Sequence, residues 1–245
     1  MIISSSAAHG QERRRHLRLP DGFEYYKSEW MECGQDPVLS PTVFLVEQVP
    51  GARLVTHFHG QNQFQVFVAG SGTIGPHALG PVTVHYAGAY TGYGPIVAGE
   101  QGLSYFTIRS VFEQGAMVLP EKRSMMRRGP KRQFHTAPIT PESAQALASL
   151  SEVLIDDIVS DQPDGIAVRR IRIPPGAQSA ALDPSLGWGQ FSMVLSGSLE
   201  HEGRRLTAWE CLFASPDEAA PLLRAGPEGA DVVCLRPAAQ DPAYR

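Results

Sequence analysis

Two stretches of this chain repeat each other at almost one spacing. Val49–Ala52 (VPGA) returns as Pro174–Ala177 (PPGA), 125 positions later, and Phe64–Ile74 (FQVFVAGSGTI) returns as Phe191–His201 (FSMVLSGSLEH), 127 positions later. A phenylalanine, hydrophobic residues at alternate positions and a Gly-Ser pair keep their register in the longer match. Two matches in the same order, separated by one small indel, predict a duplicated β unit. The 245 residues allow two domains, each of about 100–125 residues.

The rest of the chain reads as short strands between turn residues. Pro41–Val49, Arg53–Phe58, Phe64–Ala69, Val82–Tyr86 and Leu103–Val111 fill the first half. Ile166–Ile173, Phe191–Leu195, Arg205–Phe213 and Asp231–Leu235 fill the second. They are rich in Val, Ile, Phe, Thr and Tyr, with Gly, Pro, Asn or Asp between them. One segment differs: Pro141–Val153 (PESAQALASLSEV) is predicted to be a helix, with Thr140 as N-cap and Pro141 in the first turn. The expected organisation is a loosely ordered arm over 1–19, a barrel over 20–121, a linker with a short helix over 122–157, and a second barrel over 158–245.

Composition excludes several classes. A net charge of −4 gives no basic surface for nucleic acid. Arg123, Arg127, Arg128, Lys131 and Arg132 read as a solvated loop. No apolar run reaches the roughly 20 residues of a membrane helix. Cys33, Cys211 and Cys234 are odd in number and far apart, which points to a reducing, cytoplasmic setting. There is no GxSxG elbow, no phosphate loop and no HExxH.

The residues that carry chemistry lie between Gly51 and Gly70. His57 and His59 are two apart on an extended segment, so their rings are expected on one face. Two neutral imidazoles aimed at one point are a start for Zn, Fe, Mn, Ni or Cu coordination. Gly60-Gln61-Asn62 forms a turn, and Gln63 returns beside the histidines with an amide oxygen to offer.

This frame of Gly, five residues, His-x-His, three residues, an acidic position, six residues and Gly resembles the first motif of the cupin superfamily. Gln63 stands where that motif has Glu. The resemblance implies an all-β chain of two cupin (jelly-roll-type double-stranded β-helix) barrels. The second cupin motif supplies a further His; here Tyr93 falls about where it would be. His85, on the preceding strand, is either the third histidine of a neutral ligand set or an ordinary strand residue. Shifting His57 and His59 by the repeat offset reaches Pro184 and Leu186, so the second barrel is expected to be metal-free.

The resemblance implies a divalent metal held by His57, His59 and Gln63 or His85, with Fe(II) foremost and Zn, Ni or Mn as alternatives. Tyr93 and Arg109 are the expected catalytic, substrate-orienting residues. The implied activity is that of a metal-dependent enzyme on a small organic molecule, foremost a non-haem dioxygenase. The alternatives are a non-catalytic sensor or storage cupin, or a metal-assisted isomerase or lyase. A homodimer is expected, without nucleic-acid or membrane partners.

Overall fold

The computed structural model describes residues 1–244 and divides into two compact units. One contains Met1–Ala7 and Pro141–Ala239; the other contains Ala8–Thr140 and the chain from Gln240 on. Each is an antiparallel β unit, as the alternation predicts.

In the unit carrying the histidines, one sheet runs in the order Gln133–His135, Thr83–Ala87, Gln63–Ile74, Ile96–Arg109, Thr42–Gln48, Glu24–Glu32, Arg15–Arg18. Two short pieces, Arg53–Leu54 and His57–Phe58, stand where one strand over Arg53–Phe58 was expected. His57 bridges to Tyr93 in antiparallel fashion, with backbone N–H to O bonds of 3.1 and 3.0 Å in the two directions. Val46, Phe67, Ile74, Leu79, Ile96, Leu103 and Tyr105 pack in one buried cluster.

The other unit repeats the plan in the order Ile2–Ser4, Cys211–Ala214, Gln190–His201, Leu222–Arg236, Ala167–Ile173, Leu154–Val159. The repeat offset holds to the residue at the centre of both sheets. Phe64 faces Ile108 and Gly70 faces Leu103 in the first; Phe191 faces Leu235 and Gly197 faces Ala230 in the second. Its core is a cluster around Ile171, Val194, Leu199, Leu212 and Val232.

Three expectations need correction. The arm over 1–19 is ordered: Ile2–Ser4 is a strand, Ala7–Glu12 a helix and Arg15–Arg18 a strand. Ile2–Ser4 covers the outer edge of Cys211–Ala214, and an exposed strand edge needs such cover. The predicted helix over 141–153 is only Ala144–Ala148, capped by the Ser143 hydroxyl, which accepts from Ala146 N–H, so Thr140 and Pro141 precede the cap. The expected linker over 122–157 is divided, with the residues up to Thr140 in one unit and those from Pro141 in the other. Among the described residues no helix is long and apolar enough to cross a membrane. All three cysteines are free.

Candidate functional site

Alternation along two neighbouring strands builds the floor of a pocket. Gln63 and Gln65 point inward from one strand, and Tyr105, Thr107 and Arg109 from the next. His57 and His59 enter from the short piece after Thr56, and Tyr93 from the segment paired to it. Leu19, Phe23, Tyr25, Phe44, Val46 and Leu54 make an apolar wall. The cavity holds about 340 Å³, at the small end of the range for organic ligands.

The polar end is one connected network. His57 Nδ1–H donates to the Val55 carbonyl at 2.7 Å, which leaves Nε2 to accept from the Tyr93 hydroxyl at 2.9 Å. The Gln63 amide donates to the same hydroxyl. Gln63 Oε1 accepts two bonds from Arg109, 2.9 Å from Nε and 2.7 Å from Nη2. His59 Nδ1–H donates to Glu113 Oε2 at 2.7 Å, and Arg109 Nη2 lies 3.3 Å from His59 Nε2. Glu113 Oε1 also accepts from Gly60 N–H at 2.6 Å. The two histidine rings sit edge to face, 5.3 Å apart.

Burial sets the charges. It pushes His57 down to about 3, helped by neighbouring His59, and His59 down to about 4, with Arg109 adding to the effect. Both rings are neutral at physiological pH. Burial also drives the Tyr93 phenol up, so it keeps its proton. Burial alone would raise Glu113, but its hydrogen bond from His59, the charge of Arg109 and the Gly60 N–H outweigh it and hold it below the usual range. Arg109 is 3% exposed, and burial lowers its pKa against the pull of Glu113. Guanidinium keeps its proton in such surroundings.

The structure brings His57, His59, Gln63, Tyr93 and Arg109 together. His85 does not join the pair as the third member of a histidine set. Its Nδ1–H donates to the Phe134 carbonyl at 3.1 Å and its ring stacks on His135, 4.6 Å away, while its Nε2 is buried without a partner. Among the described residues no three His, Cys, Asp or Glu side chains form a group able to hold a metal ion. Glu113 was missed from the sequence, since it sits in a loop beyond any motif; its place four residues after Arg109 was the one available hint.

A resident divalent ion does not fit these side chains. The three atoms best able to ligate it, His57 Nε2, His59 Nε2 and Gln63 Oε1, are taken by Tyr93 and Arg109. A dication about 4 Å from a guanidinium would also be repelled by it, by ~8 kcal/mol at an effective dielectric constant near 20, which the single carboxylate of Glu113 offsets in part.

The neutral buried histidines give the stability a pH dependence. His57, His59 and His85 have folded values of about 3, about 4 and about 3, below the ordinary 6.5 of the unfolded chain. The unfolded chain therefore binds protons first as pH falls. Stability is fully present above about pH 6.5 and is lost toward pH 4, by up to ~1.4 kcal/mol per pH unit for each ring. Urea unfolding across that window should show the slope, and His85→Phe should reduce it by one proton's worth. An unchanged slope in that variant would contradict a neutral buried His85.

No protein-family model matches the chain. No curated protein matches it either. Solved structures do. An oxalate decarboxylase of Bacillus subtilis, studied for its Mn(II) centres, aligns over 98% of this chain and 78% of its own, at 16% identity and a TM-score of 0.55. The pirin YhhW of Escherichia coli, in complex with nickel(II), aligns over 97% of this chain and 100% of its own, at 12% identity and a TM-score of 0.56. An oxalate decarboxylase of Lactobacillus farciminis in a formate complex aligns over 97% and 86%, at 12% and 0.56. At these identities the likeness concerns the fold, and that fold is the cupin fold.

Proposed function

We propose that the histidine-bearing barrel binds a small organic molecule and holds it by hydrogen bonds, without a resident metal ion. The observation that carries this reading is the pocket itself, with an apolar wall at one side and a preformed polar network at the other. The molecule that suits it has a compact apolar body and a head that both accepts and donates. Arg109 and the Tyr105 hydroxyl offer donors; Tyr105 already accepts from Gln48 at 3.1 Å, which leaves its own proton for the pocket. Gln65 offers the acceptor: the residue lines the cavity, and its Oε1 is buried and has no partner. A buried unpaired carbonyl is costly, and a ligand hydroxyl or amine would satisfy it. Hydroxy acids and enolised diketones have both features.

The test is a thermal-shift and calorimetric panel of hydroxy acids, diketones, thiols and catechols on protein kept in chelator. Binding by one class is expected, with Gln65→Leu weakening it about tenfold, the worth of one hydrogen bond left unmade. A panel without any binder, or a binder indifferent to Gln65→Leu, would overturn the reading.

A non-haem Fe(II) dioxygenase at the same histidines is the second reading. One observation favours it: both rings have Nδ1 tied off, by Val55 and Glu113, which is how metal-binding imidazoles are oriented. The manganese and nickel named with the neighbours speak for a divalent metal at such a site, and not for iron or oxygenation in particular. It requires Arg109 to give up Gln63 and His59. Iron content and O2 uptake with the same panel separate the two readings.

A further inference from the structure

Arg109 sits among side chains that would otherwise be free to ligate. Its guanidinium bonds Gln63 Oε1 through two nitrogens, lies against both ring nitrogens of His59 at 3.1 and 3.3 Å, and reaches the Glu113 carboxylate at 3.7 Å. The group at the centre of the site is therefore already a cation. Its partner is the amide of Gln63, which brings no charge. A carboxylate with a divalent ion and an amide with a guanidinium both carry a net charge of +1. The second arrangement matches the first in net charge with atoms the chain itself supplies, and the Glu113 carboxylate, 3.7 Å from the guanidinium, offsets that charge in either case.

The duplication gives an independent observation. Shifted by the repeat offset, Gln63 falls on Gln190 and Arg109 on Arg236. Arg236 is 1% exposed, and its guanidinium donates to the carbonyls of Gly165 and Asp183 and to Asp161. The second barrel has Pro184 and Leu186 in place of the two histidines, yet it keeps the glutamine and the buried arginine. The arginine is thus a fixture of this chain's barrels, with or without imidazoles.

We propose that Arg109 is the built-in cation of the site, that it excludes divalent metal from His57 and His59, and that with Gln63 it supplies the positive charge a ligand head meets. This deepens the metal-free binding reading above and rests on it for the ligand. Metal exclusion itself is read with no ligand present, so the two can fail separately.

The experiment uses the full chain, MnCl2 or NiSO4 alone as probe, and metal content after desalting. Wild type should keep less than about a tenth of an equivalent of either ion. Gln63→Glu/Arg109→Met, which restores a carboxylate and removes the guanidinium, should keep about one equivalent and gain thermal stability only when the metal is present. Gln63→Glu alone should stay metal-free, because Arg109 then pairs with the new carboxylate. Stoichiometric uptake by wild type that His57→Ala abolishes would overturn the proposal. So would a double variant that is folded by circular dichroism and still metal-free. Should the double variant not fold, the wild-type measurement decides alone: uptake overturns the proposal, and none supports it.

Discussion

Alanine at Gly70 should destabilise the histidine-bearing barrel by about 3 kcal/mol or more, and alanine at Gly197 should do the same to its repeat. Gly70 has φ +75° and Gly197 φ +69°, the left-handed region where a side chain costs about 1–2 kcal/mol. Space is the larger problem. A Cβ on Gly70 would lie 2.1 Å from the Gly102 carbonyl oxygen, and one on Gly197 would lie 2.2 Å from that of Gly229. Both obstacles are backbone within the longest strand of their sheet, so relief requires the central strand pair to separate. Gly51 is the control: its φ is +72°, with nothing within 4 Å of an added Cβ. Urea unfolding should rank Gly51→Ala well above both others in stability. Equal losses at Gly51 and Gly70 would show that the close strand contact is not what the sequence protects.

Arg109→Met should cost about 3–5 kcal/mol, the usual result of removing one partner from a buried charged network. Methionine fills much of the arginine stem's volume, so the loss comes from the polar groups left behind. Gln63 Oε1 loses both of its donors and the Glu113 carboxylate loses a neighbouring cation, and Gln63 is almost fully buried. Adding Gln63→Leu should recover part of the loss, since the stranded acceptor goes with it. A double-mutant cycle by urea unfolding measures this coupling, expected at about 1–3 kcal/mol. Purely additive effects would mean that Arg109 and Gln63 do not depend on each other.

The repeat and the strand alternation carried most of the fold. Gln63–Ile74 and Gln190–His201 stand at the repeat spacing because period-two patterning directs side chains to a face. What alternation does not encode is the partner. Ile2–Ser4 is three residues long, with nothing in its letters to point to Cys211–Ala214 more than 200 positions away, so the sequence alone predicts a loose arm.

The site was legible to the same extent. The spacing from Gly51 to Gly70 placed His57, His59 and Gln63 side by side, since it fixes direction. It could not say what those side chains would grip. That depended on Arg109, 46 positions beyond Gln63, and on Tyr93 pairing across from His57. The offset that mapped the histidines onto Pro184 and Leu186 also maps Arg109 onto Arg236. Applied to arginines, it shows that both halves keep an arginine as well as the glutamine.

The division of the chain ends between the two units bears on how the protein is made. Ile2–Ser4 is synthesised more than 200 residues before its hydrogen-bonding edge, Cys211–Ala214. Tyr244, near the other end, returns to lie against Tyr90 and to accept from Lys131 and Arg127. The second barrel takes its edge strand from residues made long before it. The histidine-bearing barrel, whose strands all lie between Arg15 and His135, gains the Tyr244 clasp only after the second half is made. A gene cut between codons 140 and 141 would give two fragments, each carrying the strand or clasp that completes the other; co-expressed, they should complement where either alone is left with an open seam.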